Sequence, residues 1–166
     1  MTEEIIIIGV DPGTVITGYG IIKKVGNNFE TIDYGCIRPP KEKELNDRFF
    51  IIHEGIENLL KKHIPSTLIV ETQYVNKNIQ SSIKLAMARA AIILAAKRNG
   101  IEVVEYTPTT VKKAVTGTGS ASKHQIQGMI QKLLCLKELP QPEDAADALA
   151  LAICYAQKIR KMVFKK

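Results

Sequence analysis

A chain of 166 residues, 45% hydrophobic, has room for one domain with a sizeable buried core. Uninterrupted apolar runs such as Ala90 to Ala96 are far short of the ~20 residues that span a bilayer, and Glu3 and Glu4 stand where a secretory leader needs positive charge. Neither a membrane span nor a leader is predicted, and a cytoplasmic location is expected. Charge is segregated: the net +6 divides into 8 basic and 11 acidic residues over 1–71, against 15 and 6 over 72–166.

The stretches 72–98 and 106–137 contain no acid, and each holds five basic residues. Positive charge concentrated in this way suits a polyanionic partner. Solvated lysines on a helix surface account equally well for the basic tail that starts at Lys158. Cys36, Cys135 and Cys154 form no CxxC pair, so they are predicted to be reduced core residues, neither a disulfide framework nor a zinc site.

In chain order, residues 5–10 are almost continuous isoleucine and predict a buried strand. Strands over 16–25 and 28–38 follow, joined by the turn Gly26-Asn27-Asn28. Residues 45–62 place Leu45, Phe49, Ile52, Ile56 and Leu59 at helical spacing, with Pro65 after the end. A short strand over 67–71, a helix over 79–98 and a strand over 101–106 come next, then helices near 108–115, 122–136 and 143–160. The order predicts an α/β fold, a mixed five-stranded sheet flanked by helices, in which the first and fourth strands are neighbours. The helix 79–98 is apolar on nearly all sides between Leu85 and Ala96, broken only by Arg89, and must be covered all round by its own domain or by a partner.

Four carboxylates stand out. Asp11 ends the first strand before Pro12-Gly13, which keeps it extended and turns the chain beyond it. Taken alone, a turn Asp bonding local N–H groups explains it as well. Glu71 ends the Leu68-Ile69-Val70 run, and an acid at a solvent-facing strand end is also common. Asp144 can offset a helix macrodipole, as can Glu143, which is left out of the site. Asp147 resists such explanations: it lies one turn further in, among Ala145, Ala146, Ala148 and Leu149, where an unpaired carboxylate is costly. Three residues apart, Asp144 and Asp147 share a helix face and repel unless a cation lies between them. Oxygen ligands select hard ions, Mg²⁺ or Mn²⁺, and four carboxylates suit two ions ~4 Å apart, an arrangement that supports in-line attack on a phosphodiester.

Gly9-Val10-Asp11-Pro12-Gly13 followed by Thr17-Gly18-Tyr19-Gly20 resembles the opening of the RuvC Holliday junction resolvases. So do Val70-Glu71, Asn78 to Leu85, Gly117 to Lys123 and Asp144-Ala145-Ala146-Asp147-Ala148-Leu149-Ala150, in order, over about residues 5–156. The resemblance implies a ribonuclease H-like nuclease domain over 1–157 with a basic tail over 158–166. It further implies a homodimer that makes Mg²⁺-dependent symmetric nicks in four-way DNA junctions, and a branch-migration complex as a partner. By the same resemblance Asp11, Glu71, Asp144 and Asp147 are catalytic metal ligands, Lys112 and Lys123 contact DNA near the scissile phosphate, and Tyr74 stacks on a base. From the residues alone, Tyr74 reads better as a strand-end aromatic packed on the core, and Lys123 equally as a surface lysine at a capped helix start. The chain departs from the family pattern at Thr72, where relatives often carry Gln, and at Ala86 to Ala90, which lacks the usual glycines.

Two other functions compete. An ATP-binding phosphotransferase of the actin and sugar-kinase type has a first strand and loop like Val10 to Thr14, but needs two such lobes. A non-catalytic DNA-binding module would have no use for four acids beside a phosphate path.

Overall fold

The computed structural model describes residues 4–72 and 77–163, with side chains through Ile159. Three strands open the chain: β1 (Glu4–Asp11), β2 (Thr17–Val25) and β3 (Asn28–Ile37). The β2–β3 turn sets Gly26 at φ 58°, in the left-handed region that a glycine enters without steric cost. There follow α1 (Leu45–His63), β4 (Thr67–Glu71), α2 (Ile79–Arg98), β5 (Glu102–Tyr106), α3 (Pro108–Thr116), α4 (Lys123–Leu133) and α5 (Glu143–Val163). The strands form one sheet in the order β3-β2-β1-β4-β5. As expected, β1 and β4 are parallel neighbours, in register from Ile7 beside Thr67 to Val10 beside Val70.

Both faces of the sheet are covered, which is why β1 and β4 are apolar at successive positions. Ile7, Ile22 and Ile69 pack with residues of α3, α4 and α5, among them Val111, Ile126, Leu149 and Ile153. Ile8, Val10, Ile21, Leu68 and Val70 pack on the opposite side with Ile52 and Ile56 of α1 and Ala88 and Ile92 of α2. Strand side chains alternate in direction, so Asp11 shares the α5 face with Ile7 and Gly9, and Glu71 shares it with Ile69.

Helix α5 sits unusually close to this face because the strands beneath it carry glycine. A methyl group at Gly20 would lie 2.7 Å from Leu149 Cγ, and one at Gly9 would lie 2.9 Å from the Ala152 nitrogen and collide with the Ala148 carbonyl. At Gly18 it would collide with the Asp144 carbonyl. The helix answers with small residues of its own, since Ala145, Ala146, Ala148 and Ala152 are all buried.

The structure corrects several sequence expectations. Helix α4 stops at Leu133, short of 136, because the Leu136 N–H turns back to the Gln131 carbonyl at 2.9 Å and Cys135 takes φ 52°. Cys135 is exposed and Cys36 half-buried, leaving Cys154 as the core cysteine. Helix α5 runs unbroken through the expected start of the basic tail to Val163. Helix α2 is, by length and composition, apolar enough to cross a membrane, with a mean hydropathy of 1.4, although no single run within it is long. Ala88, Ile92, Ala95 and Ala96 nonetheless set it into the core shared with α1 and the sheet. Its other side leaves Ile79, Ile83, Met87 and Leu94 exposed, so the expected cover on all sides is not supplied within one chain.

The close seat of α5 makes Gly9→Ala a sensitive test. Because the collision is with backbone, relief requires moving the helix, and overpacking of this kind costs about 1–3 kcal/mol or more. The melting temperature should fall by several degrees in a thermal scan, whereas Gly128→Ala, inside α4 with nothing within 4 Å of the added methyl, should match or slightly exceed the parent.

Candidate active site

The register that pairs Val10 with Val70 brings the next residues, Asp11 and Glu71, to the carboxyl ends of adjacent parallel strands on one face. Asp11 is paired across the sheet with Gly18, and Gly18 lies against the Asp144 backbone. The first turns of α5 therefore carry Asp144 and Asp147 over the two strand ends. The chain beyond Asp11 is tied down locally. Thr17 is fully buried; its hydroxyl donates to the Gly13 carbonyl at 2.8 Å and accepts from the Gly13 N–H at 3.3 Å. Arg48 of α1 reaches across to donate to the Thr14 carbonyl.

Two lysines face the acids from α3 and α4. Thr107 caps α3 by accepting from the Thr110 N–H at 3.2 Å, Pro108 opens the helix, and Gly117 closes it at φ 84°. Ser122 and Gln125 form a reciprocal capping box that starts α4 at Lys123. Glu71, Asp147, Lys112 and Lys123 together line a cleft of about 260 Å³ whose remaining walls are Pro108, Val111, Ile126 and Ala150. Lys123 Nζ also lies 3.1 Å from Glu143, which gives that acid a partner the sequence did not suggest. Both groups are well exposed, so the pair orients the lysine more than it stabilises the fold.

The acids lie in one another's electric fields. Burial, and then Asp147, Glu71 and Asp144, push the Asp11 carboxyl up to about 8, against an opposing pull from Lys123. Glu71 is raised by burial and by Asp147, with Lys112 and Lys123 opposing. Asp147 is raised by burial and, against Lys123, by Glu143 and Asp144. Cys36, read from sequence as a core thiol, stands beside this cluster: burial and Asp144 raise its pKa, and the Ala145 N–H bonds it. Thr17 lies within the Thr-Gly-Tyr-Gly motif and could have been singled out; nothing in the sequence marks Arg48. Tyr74 lies outside the described residues.

Among the described residues no group of three acids, histidines or cysteines is placed to hold a metal ion. The donor chemistry still fits a hard divalent ion. All the candidates are oxygen ligands save one half-buried thiol, and Asp11, Glu71 and Asp147 are raised first by burial and then by neighbouring carboxylates, a balance that a bound cation would reverse.

A mixed sheet of this order, with acids at two central parallel strand ends and on a helix laid across them, is the ribonuclease H-like architecture of metal-dependent nucleases. A family model described as crossover junction endodeoxyribonuclease RuvC matches residues 7–155. RuvC of Protochlamydia amoebophila is 55% identical over 157 residues, 95% of this chain and 94% of the relative. RuvC of Halothermothrix orenii is 44% identical over 155 residues, 93% and 94% of the two chains. Among solved structures, T. thermophilus RuvC in complex with Holliday junction substrate superposes with a TM-score of 0.90 at 29% identity, covering 95% of this chain and 96% of that one. The chain belongs to the RuvC family of crossover junction endodeoxyribonucleases, which are divalent-metal-dependent nucleases.

Asp11 has a measurable signature in the metal-free protein. Between its ordinary value of 3.8 and about 8, the folded chain holds a proton that the unfolded chain has released. Stability therefore declines as pH rises through that window. Without divalent metal, the melting temperature should drop from about pH 5 to about pH 8, and Asp11→Asn should flatten the drop and melt higher than the parent at the upper end. An unchanged slope in Asp11→Asn would show that the carboxyl is ionised at neutral pH.

Proposed function

We propose that this chain resolves four-way DNA junctions by symmetric paired nicks that leave 5′-phosphate and 3′-hydroxyl ends, in homologous recombination and DNA repair. The observation that carries this reading is the sharing of one cleft by acids and lysines: Glu71 and Asp147 lie with Lys112 and Lys123, and Asp11 and Asp144 lie within the same field. Support for the substrate comes from the T. thermophilus relative, which is bound to Holliday junction substrate.

In this reading Asp11, Glu71, Asp144 and Asp147 hold two Mg²⁺ ions, with Mn²⁺ able to substitute. When bound, the ions acidify the attacking water and neutralise charge at the scissile phosphate. Lys112 and Lys123 hold the phosphate against the acids, which would otherwise repel it. Partial burial of the acids at the strand ends and on α5 restricts where the carboxylates can go and keeps their oxygens at the cleft. Tyr74, in the segment between Glu71 and α2, stacks on a base at the crossover.

The working unit is a homodimer. Ile79, Ile83, Met87 and Leu94 form one exposed stripe along α2, and Phe50 of neighbouring α1 is 60% exposed. Small residues at Ala86 and Ala90 on the same stripe allow two such helices to approach closely. A two-fold axis through this surface would relate two clefts, matching a substrate with two equivalent strands to cut. The enzyme acts in the cytoplasm, with a branch-migration complex as its partner.

Synthetic four-way junctions and linear duplex incubated with Mg²⁺ should be told apart, with cuts mapped at symmetric positions on two strands of the junction. Asp147→Asn and Glu71→Gln should lose cleavage to background while still binding junctions in Ca²⁺. Full nicking by either variant would sink the assignment of ligands. The Met87→Glu, Leu94→Glu double variant should sediment as a monomer and lose the paired second cut; a variant that stays dimeric would move the interface elsewhere. Junction affinity should fall linearly on a log–log salt plot, with a slope of about −0.9 for each duplex phosphate contacted.

A further inference from the structure

The acid-bearing end of β4 is held from the side of the sheet opposite α5. Registered pairing of β1 with β4 ends at Val10–Val70, and beyond it the Thr72 N–H turns to the Tyr106 carbonyl of β5 at 2.8 Å. At that point Arg89 of α2 donates its Nε–H to the Glu71 backbone carbonyl at 3.3 Å. Its Nη2 meets Glu105 Oε1 at 2.5 Å, and Glu105 is paired with Val70 in the neighbouring strand. One guanidinium thus bridges the ends of β4 and β5. The Arg89 side chain is only 21% exposed, so these bonds are partly shielded from water and from salt.

We infer that Arg89 is a positioning residue for Glu71, and that through it α2 is a rigid link between the acid cluster and the exposed apolar stripe. Alternation fixes which face the Glu71 side chain leaves from, but only for as long as the strand end keeps its extended conformation. Arg89 fixes that conformation from behind, by the main chain, without touching the carboxylate. A lysine cannot reproduce the arrangement. Its ammonium is a single point, whereas the guanidinium offers two donors held in a plane, one for a carbonyl and one for a carboxylate. The same helix carries Ile83 and Met87 on its outer side, both within two turns of Arg89.

This inference rests on Glu71 being a metal ligand, and the experiment separates the two claims. Arg89→Gln, Arg89→Lys, Glu105→Gln and Glu71→Gln are compared by melting, by Mn²⁺ titration calorimetry without DNA, by junction binding in Ca²⁺ and by cleavage. Arg89→Gln should weaken Mn²⁺ binding by about 10–100-fold, as loss of a ligand's supporting contact does, and slow cleavage comparably. Its junction affinity should be unchanged. Arg89→Lys should recover only part of the loss, and Glu105→Gln should show a smaller loss in the same direction. A folded Arg89→Gln with parental Mn²⁺ affinity and rate overturns the inference while a dead Glu71→Gln leaves the ligand assignment standing. Should Arg89→Gln fail to fold, parental Mn²⁺ affinity in both Arg89→Lys and Glu105→Gln overturns it equally. If Glu71→Gln itself binds Mn²⁺ and cuts as the parent does, both claims fall.

Discussion

The seat of α5 on the glycines of β1 and β2 sets how the four candidate acids stand relative to one another. A helix packed on ordinary side chains stands off the sheet by their full length; here Gly9, Gly18 and Gly20 face Asp144, Ala148 and Leu149 with no Cβ between. That proximity brings the helix's two aspartates into the field of acids fixed at two strand ends, and it has an electrostatic cost. Asp11 is held against burial and three like charges at once. Tight apolar packing supplies the stability that tolerates such a cluster, and the cluster retains a demand for cations that water alone does not meet.

The cationic residues complete a division of labour between elements. Strand ends and α5 bring negative charge, while α3 and the start of α4 bring Lys112 and Lys123 to the other wall of the cleft. Their placement depends on turn chemistry. A proline and a threonine cap begin α3, a left-handed glycine ends it, and a reciprocal serine–glutamine cap begins α4. The lysines themselves could be exchanged for others on the surface. Their direction could not, because it is set by where two short helices start and stop.

Much of this was legible in the amino-acid sequence, and the limits have physical causes. The continuous apolar run of the isoleucine strand and the period-3.6 pattern of α1 are strong, so those elements lie close to their observed bounds. Asp147 stood out because an acid within an alanine-rich helical turn has no cheap structural explanation. The end of α4 was missed because a backbone turn closed by the Leu136 N–H and a left-handed Cys135 leaves no glycine or proline behind. The contacts of Arg48 and Arg89 are not legible for a related reason: each acts on a backbone carbonyl distant in sequence, and carbonyls leave no trace in composition. The membrane-like character of α2 went unnoticed because hydropathy averaged over a whole helix and the length of its longest run are different quantities.

The chain order of the sheet has a bearing on how the molecule is made. Its central strand is synthesised first, and the helix that covers that strand, α5, is synthesised last. A ribosome that has released residues 4–142 has produced Asp11 and Glu71 but neither of the α5 aspartates, and has left the glycine-lined face of β1 and β2 open to water. Such a partial chain lacks two of the four candidate site acids and a large part of its apolar cover. The α5 aspartates and the cover of the β1–β2 face therefore arrive together, with the 21 residues of α5. An interrupted product is left both unstable and without a full complement of carboxylates.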